Sequence, residues 1–121
     1  MTRLSKLSRS ISGKVVLITG ATSGMGLATA KLFSDEGAKV IVTDLDDKKI
    51  DAVVTEINES GNSAYGIKLD VSDRENIETA IKEIISNFGS LDCLINNAGI
   101  SIPTTIDDVN YESYWDKTFD V

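Results

Sequence analysis

Thr19-Gly20-Ala21-Thr22-Ser23-Gly24-Met25-Gly26 follows directly on the apolar run Val15-Val16-Leu17-Ile18. Glycines spaced Gly-x-x-x-Gly-x-Gly between an apolar strand and a helix present bare backbone N–H groups to an anion. Gly20 lets the chain turn sharply off the strand. Gly24 and Gly26 remove side chains that would hold a pyrophosphate, or the neighbouring strand, away from the backbone. The first N–H groups of the following helix have no internal partner and carry partial positive charge, which favours a phosphate. Asp44 ends a second apolar run, Val40-Ile41-Val42-Thr43. An acid there can accept from both hydroxyls of a ribose, and its charge repels a phosphate on the same sugar.

The elements that must position these groups alternate strand and helix. Val15–Thr19 reads as the first strand, and the first helix runs from about Ser23 to Glu36, with Gly37 as a stop residue. Its sheet-facing stripe is Leu27, Ala30, the stem of Lys31 and Phe33–Ser34. Lys39–Thr43 is the second strand. Asp46 or Asp47 caps the second helix, where Ile50, Val53, Val54 and Ile57 recur at helical spacing. Ala64–Leu69 is the third strand. Ser72 or Asp73 caps the third helix, striped by Ile77, Ala80, Ile81, Ile84 and Ile85 and closed at Phe88-Gly89. Leu91–Ile95 is the fourth strand, and Asn110 precedes a fourth helix through Tyr111, Tyr114 and Trp115. The three aromatics read as packing residues. Alternating strands and helices build parallel βαβ units with right-handed crossovers. The fold class is therefore α/β, a partial doubly wound (Rossmann-type) parallel sheet in the order 3-2-1-4, with helices on both faces. Ligands bind at the crevice where the strand order reverses.

Thr19 with the glycine spacing, and Asn96-Asn97-Ala98-Gly99 at the end of the fourth strand, together resemble the short-chain dehydrogenase/reductase family over residues 13 to 121. The resemblance implies a nicotinamide dinucleotide as cofactor, bound by Gly20, Thr22, Ser23, Gly24, Met25 and Gly26 of the turn and by Asp44 and Leu45. It also assigns Asp70-Val71 to the adenine, and Asn97, Ala98 and Gly99 to the strand end beside the ribose. Asn97 is expected to lock the backbone rather than touch cofactor. NAD is favoured over NADP, because Asp44 opposes a 2′-phosphate, no basic residue follows it at Leu45, and Ser23 stands where a phosphate-seeking cation would sit. The competing readings are Asp44 as a helix cap and Asp70 as a turn residue.

Family members transfer hydride with an Asn, a Ser and a Tyr-x-x-x-Lys pair. The two Tyr–Lys candidates here, Tyr65 with Lys68 and Tyr114 with Lys117, are spaced three apart rather than four. No catalytic residue is assigned. Trp115 to Val121 resembles the stretch leading into the active-site Asn, so the chain reads as the amino-terminal cofactor portion of an oxidoreductase acting on an alcohol or carbonyl, inactive by itself. The alternative is a non-catalytic nucleotide-binding or interaction module.

A net charge of −7 argues against nucleic acid, whose phosphates need a basic face. No apolar stretch approaches the roughly 20 residues of a membrane helix. With no His and a single Cys, a zinc site is not expected. Cys93, inside the fourth strand, reads as a buried inert thiol suited to a reducing compartment, and the expected location is cytoplasmic. Residues 1–12 carry Arg3, Lys6 and Arg9 among serines, with no acid before Asp35, and read as a flexible basic arm; a targeting segment is the competing reading. Residues 13–121 form the partial dinucleotide-binding domain. The unpaired edge of the fourth strand suggests a homo-oligomer.

Overall fold

Val15–Ile18 forms β1, in which every residue is buried, because a strand covered on both faces has no side for a polar residue. The computed structural model describes residues 10–98. Lys39–Asp44 (β2) pairs in parallel with β1, setting Val15 opposite Lys39 and Ile18 opposite Val42. Ser63–Lys68 (β3) lies parallel beyond β2, and Cys93–Ile95 (β4) pairs with the other side of β1, Val16 opposite Cys93. The order is β3-β2-β1-β4. Three helices alternate with these strands: Gly24–Asp35 (α1), Asp47–Glu59 (α2) and Arg74–Phe88 (α3).

The two-residue period of the strands sorts the core into two layers. Val16, Ile18, Val40 and Val42 pack with Ala30 of α1 and Ile50, Val53 and Ile57 of α2. Val15, Leu17, Ile41 and Ile67 pack with Ala80 and Ile84 of α3. Chain direction explains the division. Two steps outward from β1 place α1 and α2 on one face. The step back from β3 to β4 runs the other way, and a right-handed crossover then delivers α3 to the opposite face.

Local chemistry sets the helix ends. The Asp46 carboxylate accepts from the N–H groups of Lys48 and Lys49, and that of Asp73 accepts from Asn76, so each caps its helix and resolves the two-way readings at both positions. Gly89, at φ 82°, closes α3. On the β3 edge, Asn58 of α2 engages both backbone groups of Ala64, donating to its carbonyl at 3.2 Å and accepting from its N–H at 2.8 Å. Ile11, ahead of β1, packs against the α1/α2 core.

Strand and helix bounds agree with the sequence reading to within one residue, except that β4 begins at Cys93 instead of Leu91. Cys93 is exposed, contrary to the expected buried thiol. In the described residues β4 pairs only with β1, and Leu94 beside Cys93 is 57% exposed. The α3 stripe is also narrower than its periodicity suggests: Ala80 and Ile84 are buried, whereas Ile81 and Ile85 are exposed. Gly99, the fourth helix with Tyr111, Tyr114 and Trp115, and residues 1–9 lie outside the described residues.

Candidate functional site

At the carboxyl ends of the strands, where β1 separates chain running to β2 from chain running to β4, lies a cleft of about 690 Å³. Gly20, Ser23, Gly24 and Met25 line it from the β1–α1 turn, and Asp44 and Leu45 from the end of β2. Asp70 and Val71 line it after β3, and Asn97 and Ala98 after β4. Of the residues singled out in the sequence, Thr22 and Gly26 do not line the cleft. Leu69 and Ser72 do, although no motif marks them. Their signal was positional: both flank Asp70 on the loop that leaves a strand's carboxyl end.

Gly20 and Gly24 take φ of +62° and +56°, a region that disfavours any residue with a Cβ. A Cβ on Gly24 would meet no protein atom within 4 Å, so the space beside this cleft residue is open to a ligand. Gly26 serves a different purpose. A Cβ there would collide with the Gly20 carbonyl and the Asn97 side chain, so this glycine allows α1 to approach the turn and the β4 loop.

The same two segments are tied by a buried hydroxyl. Thr19 Oγ1 accepts from the N–H groups of both Asn97 and Ala98 at 2.9 Å, and the Asn97 amide donates to the Gly20 carbonyl at 3.2 Å. Asn97 therefore locks the backbone and also reaches the cleft wall.

The amino end of α1 differs from those of α2 and α3. Ser23 at its N-cap makes no side-chain capping bond, and its first turn carries no acid, whereas Asp46 with Asp47 and Asp73 with Glu75 compensate the other two. The α1 N–H groups and the positive end of its dipole thus remain for an external anion. This donor set, with open space at Gly24, fits a phosphate.

Asp44 is held at both oxygens. Oδ2 accepts from the Thr22 hydroxyl at 2.5 Å and from the Thr22 N–H at 3.3 Å, while Oδ1 accepts from the Leu45 N–H at 2.8 Å. A carboxylate offers about four acceptor directions. With three engaged, one remains on Oδ1, so acceptance from two ribose hydroxyls requires an oxygen to be shared with Thr22. Burial alone would push the Asp44 carboxyl up. The bonds from Thr22 and Leu45, with the charge of Lys49, outweigh burial and hold it below the ordinary aspartate range. Asp70 is a turn residue as well as a wall of the cleft: Oδ1 accepts from the Ser72 hydroxyl at 2.6 Å and the Ser72 N–H at 2.9 Å. These two bonds lower its pKa.

Tyr65 stands away from this site. Its hydroxyl donates to Glu83 of α3 at 2.7 Å and its ring meets Phe88 edge-to-face. Lys68, three positions along the same strand, projects from the opposite face, so the two do not form a pair.

Strand order, uncapped helix and acid at the end of β2 define a doubly wound α/β unit with a crevice at its switch point. The chain belongs to the short-chain dehydrogenase family, whose sequence model matches residues 14–121. It is 41% identical over 111 residues to 2,5-dichloro-2,5-cyclohexadiene-1,4-diol dehydrogenase of Sphingobium indicum, covering 92% of this chain and 44% of that protein. It is 45% identical over 100 residues to secoisolariciresinol dehydrogenase of Forsythia intermedia, covering 83% of this chain and 35% of that one. The crystal structure of a short-chain dehydrogenase from Mycobacterium smegmatis superposes with a TM-score of 0.84 at 31% identity, over 93% of this chain and 47% of its own. The chain thus spans less than half the length of these relatives. Proteins of this family use nicotinamide cofactors. Among the described residues, no helix is long and apolar enough to cross a membrane.

Proposed function

We propose that the cleft binds a nicotinamide dinucleotide, NAD in preference to NADP, as the cofactor portion of a cytoplasmic, homo-oligomeric oxidoreductase acting on an alcohol or carbonyl. The amino end of α1 and the backbone at Gly24 hold the pyrophosphate. Asp44 accepts from a ribose hydroxyl, and Leu45, Leu69, Asp70 and Val71 surround the adenine end. When bound, the nicotinamide carries the hydride exchanged with the substrate. The chain's own residues bind and orient; Tyr65, bonded to Glu83, supplies no proton at the cleft.

The observation that carries this reading is the Asp44 carboxylate on the cleft wall, ionised and without a cationic neighbour at Leu45 or Ser23. A second negative charge brought close to it costs about 1 kcal/mol in a high-dielectric setting and several when partly buried. Titration calorimetry of the full chain with NAD and NADP tests the reading. NAD is expected to bind at least about tenfold more tightly, equivalent to about 1.4 kcal/mol, and Asp44→Ala to erase most of that difference. Equal affinity for the two, unchanged by Asp44→Ala, refutes it.

A further inference from the structure

Thr22 belongs to the glycine turn but does not line the cleft. Its polar atoms face Asp44 instead. Both its hydroxyl and its N–H converge on Oδ2, from a turn 22 residues earlier in the chain, while the Leu45 N–H holds Oδ1. A carboxylate on a single-bonded stem turns freely unless both oxygens are held. Here donors on two segments fix its plane. The Leu45 bond is local to the strand end, so the hydroxyl of Thr22 is the side-chain contribution that ties the acid to the phosphate-binding turn.

We propose that Thr22 is a positioning residue for cofactor choice: its hydroxyl holds the Asp44 carboxylate in one orientation, with a free acceptor direction on Oδ1 for a ribose hydroxyl. The inference rests on the dinucleotide reading of the cleft. It assigns the role to a residue that acts through Asp44 and not by touching the ligand. Without the hydroxyl, Oδ2 keeps only the longer 3.3 Å bond from the Thr22 N–H, and the carboxylate is held less firmly against an approaching 2′-phosphate. NAD then loses an oriented acceptor and NADP loses part of the repulsion.

The test uses four full-length chains: wild type, Thr22→Val, Thr22→Ser and Asp44→Asn. Valine keeps the shape and branching of threonine without the hydroxyl, and serine keeps the hydroxyl. Affinities for NAD and NADP are measured by calorimetry, and the Asp44 carboxyl carbon is titrated by NMR without ligand. Thr22→Val is expected to narrow the NAD-over-NADP ratio about fivefold or more and to raise the Asp44 pKa, because a charge-assisted donor is lost. Thr22→Ser is expected to retain both. If Asp44→Asn narrows the ratio but Thr22→Val does not, the positioning role is overturned and the cofactor site stands. Equal weakening of both cofactors by Thr22→Val, with the Asp44 titration unmoved, also overturns it, since that is a general disturbance of the turn. If Asp44→Asn leaves the ratio unchanged, the dinucleotide reading itself fails and takes this inference with it.

Discussion

The Asn97 side-chain amide donates to the Gly20 carbonyl across 77 residues of sequence, joining the loop after β4 to the turn after β1. The cleft exists because these two strand ends are held together. The Gly20 carbonyl and the Asn97 side chain both lie close to Gly26, which is why that position tolerates no Cβ: the added atom would strike both members of this pair.

Gly26→Ala is accordingly expected to destabilise the chain by about 1–3 kcal/mol, the usual cost of overpacking against groups that cannot yield. Asn97→Ala is expected to cost about 1 kcal/mol, the net worth of one hydrogen bond with a partly buried acceptor left behind. Urea denaturation of each variant measures both. A Gly26→Ala chain as stable as wild type would show that the turn relaxes freely.

Asp44 makes stability depend on pH in the acid range. Its carboxyl is held below the ordinary value near 3.9, so the unfolded chain binds the proton first. The contribution is complete above that value and is lost as pH falls through the lower, folded value. Asp44→Asn removes it. The gap in melting temperature between wild type and Asp44→Asn is expected to hold constant from about pH 7 to 5 and to close below about pH 4. A gap that persists unchanged at pH 2 contradicts the hydrogen-bonded carboxylate.

Tyr65 should behave in the opposite sense. The bond to Glu83, then burial and the Glu83 charge, raise its pKa, against a smaller lowering from Asn87. Its contribution is complete below the ordinary value of about 10 and fades as pH rises through the higher, folded value. Tyr65→Phe keeps the edge-to-face contact with Phe88 while dropping the hydroxyl bond, and is expected to cost about 1 kcal/mol at neutral pH. Chemical denaturation at pH 7 and above pH 10 checks both halves.

Asn58 protects a sheet edge. Its side chain occupies the N–H and C=O of Ala64, groups that an exposed edge would otherwise offer to another chain. Asn58→Leu is expected to lower stability by about 1–2 kcal/mol and to promote concentration-dependent association, read by light scattering. Unchanged association would assign Asn58 a purely local role.

Turnover is the remaining expectation. No tyrosine in the sequence has a lysine four positions later, and Tyr65 is committed to Glu83. The purified chain with NAD and an alcohol is expected to produce no NADH above background. Cofactor-dependent turnover abolished by Tyr65→Phe would overturn this.

The apolar runs at Val15–Ile18 and Val40–Thr43, the three-glycine turn and the helical stripes determined the element order, because each is local chemistry with its own period. The face on which α3 lies also follows once β4 returns past β1, since crossover handedness is a general rule. Tertiary structure decided what period alone cannot express. Ile81 and Ile85 share the α3 stripe with Ile84, yet only Ile84 reaches the sheet. Cys93 sits in an apolar strand, but burial depends on neighbours, and among the described residues β4 pairs on one side only. The glycines look alike in sequence, whereas Gly24 opens on the cleft and Gly26 packs on the Gly20 carbonyl and on the Asn97 side chain, brought from 71 residues away. Thr22 reads as part of a phosphate turn, and only the folded chain turns its hydroxyl to Asp44. Contacts of this kind are set by where distant segments meet, and no local pattern records that meeting.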